Sequence, residues 1–568
     1  MIKIRSIPFL LLLFLSRIGL SQEIDNSEKL RSLVLKSGQT EVSIPYPGRK
    51  ETDLLTRNVS IRSVRNNTVY IMLSPRTVEW FISGGYNYSI IERAEPKGIR
   101  SSSNIKQAMQ WESYPSYTQY DSIMRSFPSV YPSLCRLDTI GTSVMGRLVM
   151  ALKISDNSGT DKGEPRVFYT STMHGDETGG FILMLRFAEY LLKNYSLDGR
   201  IRNLVDNLEI WINPLANPDG TYNGSNFIIS PIRTNANGYD LNRNFPDPEV
   251  TYVPRQKETT DMMKFMAKHR FTLSANFHSG EEVVNYPWDR WGWLHADNDW
   301  YRLISRKYAD TVHMHAPKGY MDFLDNGITN GYDWYPVYGG RQDYVNYALQ
   351  GREVTIELDT NFIAPADYLA ELWKYNRQSL TGYLENALYG IHGRVSDSNN
   401  DKPVPSMVFI EKHDKDNSQV YSDTISGEFV RMLKPGIWDL TFTADRYKDT
   451  TIINVSVTDG EETRLTVKMD PFLNPADTAN RSIPLIYPDP ASSFIKAVVP
   501  KSIRGVTVNI SIINLAGVKV SDFDSDVSDR DPVLIDISRF ASGTYIIIFT
   551  SKSKKLSFRA RFIISRRN

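Results

Sequence analysis

His174 and Glu177 stand three residues apart in Met173-His174-Gly175-Asp176-Glu177, between an apolar β-type run at 167–172 and the pair Gly179-Gly180. An imidazole and a carboxylate at that spacing, in a strand-to-helix turn, can converge on one metal ion. A catalytic zinc takes three protein ligands and keeps a position open for water, so a third ligand has to come from elsewhere. The pair alone is a weak signal and reads equally as a surface turn. His278 is a candidate third ligand. It ends the strand candidate 272–277 and precedes Ser279-Gly280, and the carboxyl end of a buried strand is where α/β sheets place reactive groups. It reads equally as a satisfied core histidine. His313 and His315, two apart, would share one face of a strand. They lack a third partner and are expected to be structural.

Hydrolysis at a metal-activated water also needs a base. Glu357 lies in the alternating run Glu353-Val354-Thr355-Ile356-Glu357-Leu358, where a carboxylate on the apolar side is costly unless paired or functional. Glu353 competes for that role, but it stands at the start of the strand and is expected to be exposed. The loop 233–245 carries Arg233, Asn242 and Arg243 among amides and a glycine. Guanidinium forks bind carboxylates in bidentate fashion. The loop could hold a substrate carboxylate and a developing oxyanion, or be a solvated loop with ordinary ion pairs.

The elements around these residues alternate. Strand-like runs at 167–172, 208–212, 272–277 and 354–358 are interleaved with apolar helical spacing such as 181–195, which predicts an α/β domain around a mixed sheet at 111–388. After Tyr389 the pattern turns all-β, with short runs at 391–395, 407–411, 438–443 and 463–469, as in a small sandwich of about seven strands. A proline-rich joint (Pro471, Pro475, Pro484, Pro488, Pro490) leads to a second all-β unit at 482–568. Before the α/β domain, residues 22–110 hold β-type runs at 68–73 and 78–82 and carry no catalytic motif, with a linker expected at Ser101-Ser102-Ser103-Asn104.

The chain has 568 residues, 41% apolar and 23% charged, an ordinary globular composition. A net charge of +1 gives no whole-chain pull toward nucleic acid or anionic membrane. The single cysteine, Cys135, excludes a disulfide framework and a cysteine zinc finger. Residues 1–21 read as an export signal: Lys3 and Arg5, a short apolar run, then Gly19 and Ser21 before a cleavage point at Gln22. No later run is long enough to span a bilayer. The basic end, residues 551–568, alternates Leu556, Phe558, Ala560 and Phe562 with polar residues, as a solvated last hairpin does.

At this point the sequence resembles the M14 zinc carboxypeptidases, of the branch that includes carboxypeptidases D, E and N. The resemblance covers residues 112–470. It rests on an ordered set: Ile140 to Arg147, His174-Gly175-Asp176-Glu177, Asn213 to Gly220, Asp240 to Pro246, Asn276-Phe277-His278, Asn285-Tyr286-Pro287, Gly339 to Asp343 and Glu353 to Glu357. It implies one Zn2+ per catalytic domain on His174, Glu177 and His278, with Glu357 as general base. It implies Arg233 at the scissile carbonyl, Asn242 and Arg243 on the substrate's terminal carboxylate, and Tyr335 as a mobile side chain closing over the substrate. Gln342 falls where the pocket floor is expected. Asp289 matches the acid that selects C-terminal Lys or Arg. Arg341, beside Gln342, would oppose a cationic substrate if it pointed inward, and Asp176 stands where Asn is common.

Residues 389–470 resemble the transthyretin-like, carboxypeptidase regulatory-like sandwich of that branch. Residues 482–568 resemble the type IX secretion sorting domain of Bacteroidota, through Tyr487 to Ala491, Ile513 to Lys519 and Ile537 to Tyr545. Together these imply an enzyme acting on the C-termini of peptides or proteins. It would be secreted or surface-attached by the type IX machinery across the outer membrane of a Gram-negative bacterium, act as a monomer and bind no nucleic acid. Residues 22–110 stand where a pro-segment would. Two rival readings are a peptidase of bacterial cell-wall peptides and an adhesin with an inert peptidase domain.

Overall fold

The computed structural model of the protein describes residues 26–91, 98–248, 253–472, 484–487, 491, 494–528 and 532–564. The expected export signal at 1–21 and the end of the basic tail lie outside these residues.

Residues 98–388 build an eight-stranded mixed sheet in the order Ile328–Asn330, Glu282–Tyr286, Arg352–Leu358, Leu273–His278, Arg166–Ser171, Glu209–Asn213, Leu148–Ile154, Cys135–Thr142. The four central strands from Arg352–Leu358 to Glu209–Asn213 are parallel. Nearly every residue of these four is buried, as in strands covered on both faces, with polar side chains such as Ser274, Asn276 and Glu353 among them. Side-chain alternation sorts them into two cores. Val167, Tyr169, Ile210 and Ile212 face helices Tyr117–Val130, Gly179–Asn194, Asn298–His313 and Leu369–Glu385. Phe168 and Trp211 face helices Lys257–His269 and Arg341–Ala348.

Residues 101–104, expected as a linker, are tied into the fold. Ser102 is buried against Ser113 at 2.7 Å, Asn104 caps helix Ile105–Ala108, and Ala108 and Trp111 join the main core. Asn104 serves as a helix cap, a role as common to Asn as loops. The packing boundary therefore falls before residue 98 and not at 110.

Residues 26–91 form a separate antiparallel sheet, ordered Ser60–Arg65, Thr68–Leu73, Thr40–Pro45, Ser89–Ile91, with helices Asn26–Ser37, Arg49–Asn58 and Val78–Ser83. The run at 78–82, expected as β, is that last helix. Val78 and Phe81 are its buried residues, and their i, i+3 spacing fits one helix face.

Residues 390–469 form a sandwich of a three-stranded and a four-stranded sheet, closed by Phe429 against Phe442. It is keyed to the α/β unit through buried Asp297, which takes Arg352 and Arg431 at 2.7 Å and His413 Nε2 at 2.8 Å. The last unit is a second pair of β-sheets around Ile495, Ile510, Ile547 and Phe562. It ends in strands Gly543–Ser551 and Leu556–Ile564, paired antiparallel as the expected hairpin. Among the described residues no helix is long and apolar enough to cross a membrane.

Candidate metal centre and substrate cleft

Three neighbouring parallel strands end at one edge of the large sheet. Arg166–Ser171 runs into the turn that holds His174 and Glu177, Leu273–His278 ends on His278, and Arg352–Leu358 carries Glu357 directly opposite His278 in register. Parallel pairing brings these carboxyl ends together, the usual place for a site in an open α/β sheet. The turn after Ser171 is tight. Gly175 has no room for a side chain, since a Cβ there would lie 2.3 Å from the Gly220 carbonyl carbon. Asn217 fixes this approach. Its amide accepts from Gly220 N at 2.9 Å and donates to the Met173 carbonyl at 3.2 Å. Gly175 N donates to the Arg233 carbonyl at 3.2 Å, which ties the metal turn to the arginine loop.

The three expected ligands meet. His174 Nδ1 lies 2.9 Å from Glu177 Oε1, His278 Nδ1 lies 2.8 Å from Glu177 Oε2, and the two Nδ1 atoms are 3.0 Å apart. All three residues are buried. Two imidazole nitrogens and a carboxylate converging on one point make the donor set of a catalytic zinc. His174 Nε2 lies 3.0 Å from Asp240 Oδ1. A carboxylate on the far ring nitrogen keeps the proton there and leaves Nδ1 free to ligate, the support that metal-bound histidines ordinarily have. Burial works against charge on Asp240, but Arg233 and His174 outweigh it and hold the carboxyl well below the usual carboxylate range. Asp240 was not singled out in the sequence; its place in Asp240-Leu241-Asn242-Arg243 was the only signal. His313 lies outside this cluster, bonded to the Met321 carbonyl at 2.7 Å.

One cleft is lined by His174, Glu177, Arg233, Asn242, Arg243, His278, Asp289, Tyr335 and Glu357. Nine of the ten expected site residues thus share a wall. The tenth, Gln342, is buried behind it and donates to Asp289 Oδ1 at 2.9 Å. Gln342 is not among the residues that line the cleft, and it reaches it only through Asp289. Asn285 Nδ2 donates to the same oxygen at 2.9 Å. Burial raises the Asp289 carboxyl to about 6, against the opposing pull of the Asn285 bond and of Arg243. Arg290 pairs with Asp247, and Asp289 remains directed at the cleft.

Glu353 is fully buried, contrary to the expected exposure. It pairs with Arg341 at 2.8 Å and accepts from Ser274 at 2.7 Å. Arg341 and Glu353 pair with each other inside the fold, and neither lines the cleft. Glu357 is left as the cleft carboxylate on this strand. Burial pushes its carboxyl well above the ordinary range, and Glu177 and Glu281 add to the rise.

Residues 120–379 match the family described as Zinc carboxypeptidase. Carboxypeptidase SOL1 of Arabidopsis thaliana is 33% identical over 60% of this chain and 69% of its own length. The chain belongs to the zinc carboxypeptidase family. Mouse carboxypeptidase M is 33% identical over 62% of this chain and 81% of its own length. Human carboxypeptidase D is 33% identical over 59% of this chain, but only 25% of its own length is covered. Residues 485–565 match the Secretion system C-terminal sorting domain, so this zinc carboxypeptidase carries a type IX sorting domain at its C-terminal end. A sorting domain marks the chain for export.

The strand Ser60–Arg65 of the N-terminal unit lies across the cleft. Ser60 Oγ donates to Asp240 at 2.6 Å, the Ile61 carbonyl accepts from Arg243 at 3.3 Å, Arg62 pairs with Asp176 at 3.2 Å, Ser63 bonds Glu281, and the Val64 carbonyl accepts from Trp334 at 3.3 Å. Tyr335 packs against the core of the same unit. Nothing in the sequence announced these contacts, because none of residues 60–64 belongs to a motif.

Proposed function

We propose that this protein is an exported zinc carboxypeptidase that releases C-terminal Lys or Arg from peptides and proteins. The observation that carries the reading is the convergence of His174, Glu177 and His278, with Glu357 in register beside them. His174, Glu177 and His278 would hold a zinc ion, which would supply Lewis-acid polarisation and make a water more acidic. Glu357 accepts a proton from the attacking water and returns it to the leaving amine. Arg233, fixed by Glu177 and Asp240 at 3.0 Å each, donates to the oxygen on which charge develops at the scissile carbonyl. Asn242 and Arg243 hold the terminal carboxylate, and Asp289 holds the cationic side chain. Tyr335 closes over the bound residue once the N-terminal unit has left. That unit is a pro-segment. The seven-stranded sandwich is the transthyretin-like domain of this family branch. Export runs from an N-terminal signal through the type IX machinery of a Gram-negative bacterium, and the enzyme acts as a monomer.

The test is release of the last residue from matched peptides ending in Arg and in Phe, with and without a chelator. Chelator-sensitive release of Arg is expected. Release that survives complete zinc removal defeats the mechanism.

Two results follow for Asp289. Asp289→Asn is expected to lower the Arg-to-Phe ratio of kcat/KM by about 100-fold, because a cation is then desolvated against a neutral amide; an unchanged ratio refutes its role. The wild-type ratio should also depend on pH. Asp289 is ionised above about 6 and neutral below, so the preference for Arg is expected to be full at pH 7.5 and to fall as pH drops through 6. A ratio flat from pH 5 to 8 rejects this assignment.

A further inference from the structure

Asp176 is completely buried, one residue from a metal ligand, yet its polar partners come from the N-terminal unit. Gln39 Nε2 donates to its Oδ2 at 3.3 Å, and Arg62 lies 3.2 Å from the same oxygen. Its other oxygen, Oδ1, is buried with no hydrogen-bond partner among the described residues. The Arg62 guanidinium is also stacked on Phe362, 3.1 Å from the ring centroid, and it lines the cleft beside His174, Glu177 and Glu357. A carboxylate and an aromatic face together make a seat for a planar cation, through a charge-assisted bond on one side and a cation–π contact on the other. In the intact chain the N-terminal unit fills that seat with its own arginine.

We propose that Asp176 and Phe362 form a second cation subsite, which accepts an Arg or Lys side chain of the substrate on the amino side of the scissile bond. The inference rests on the carboxypeptidase reading above. With the terminal carboxylate on Asn242 and Arg243 and the terminal side chain at Asp289, a cation at Asp176 has to belong to a preceding residue. Arg62 stands in for that side chain. The enzyme then favours C-termini in which the terminal basic residue follows another basic residue closely, and Asp176, in place of the Asn common at this position, is what creates the preference.

The test uses the full chain with a protease site introduced within 92–97, cut after folding and then separated from the released N-terminal unit, so that the cleft is open. Peptides end in Arg and carry Arg, Ala or Glu at each of the two positions before it. Wild type is expected to cleave the best upstream-Arg peptide with about tenfold higher kcat/KM than its Ala counterpart, and Asp176→Asn to bring that ratio near one with its zinc content intact. As a readout independent of turnover, calorimetric binding of the same peptides to the cut Glu357→Gln chain should show the same tenfold gap, lost when Asp176→Asn is added. Equal upstream ratios in wild type and in the Asp176→Asn variant overturn the subsite and leave Asp176 as a latch for the N-terminal unit. Release of no residue from any peptide by the zinc-loaded cut enzyme defeats the carboxypeptidase reading, and the subsite with it; chelator-sensitive release with a flat upstream profile defeats the subsite alone.

Discussion

Glu357→Gln is expected to keep one zinc per chain and to lose turnover by about 10³-fold or more, the upper part of the range for a general base. The reasons are geometric. Glu357 lies opposite His278 in the ladder, in the same cleft as the ligands but outside the cluster His174, Glu177 and His278 that can hold the ion. An amide of the same shape preserves the packing, and it removes only the proton acceptor. KM should move little, since the proposed substrate contacts, Asn242, Arg243 and Asp289, are unchanged. Metal analysis and steady-state kinetics on the cut enzyme decide the matter. Loss of zinc in the variant would make Glu357 a ligand, and retained turnover would pass the role of base to another group.

Separation of residues 26–91 from the rest is expected to raise activity about 100-fold. The strand Ser60–Arg65 meets the two ends of the cleft at once, with its Ile61 carbonyl on Arg243 and its Arg62 on Asp176, and Ser60 bonds the carboxylate that orients His174. A substrate carboxylate cannot reach Arg243 while that backbone is in place. Tethering keeps the unit at an effective concentration of the order of millimolar, and a site open about 1% of the time shows about 1% of its intrinsic activity. Cutting within 92–97 and diluting to nanomolar should let the unit leave. Progress curves of Arg release before and after cutting measure the effect. Equal rates in the intact and cut forms would show that these contacts only scaffold the cleft.

The chemistry was legible in the sequence to the extent that it is local. His174 and Glu177 share one turn, and His278 and Glu357 stand at the carboxyl ends of strands whose alternation is written in neighbouring residues. A parallel sheet then has one edge at which such ends can meet. The seven-stranded sandwich was legible for the same reason, since alternation and turn residues are short-range signals. Helix Val78–Ser83 was misread because six residues are too few to separate a helical face from a strand.

Only the tertiary structure decided which charges are spent. Glu353 and Arg341 are separated by a helix and a turn in the sequence, yet they neutralise each other inside the core; burying either alone would cost several kcal/mol. Their pairing removes a rival base and a rival cation from the cleft at one stroke. Asp240, Gln342 and Arg62 act through partners 66, 53 and 114 positions away: His174, Asp289 and Asp176. No periodicity or motif records such a distance. The residue types that bind a metal are fixed by coordination chemistry, and the sequence alone determined them. Which carboxylates stay free to meet a substrate depends on what each is folded against.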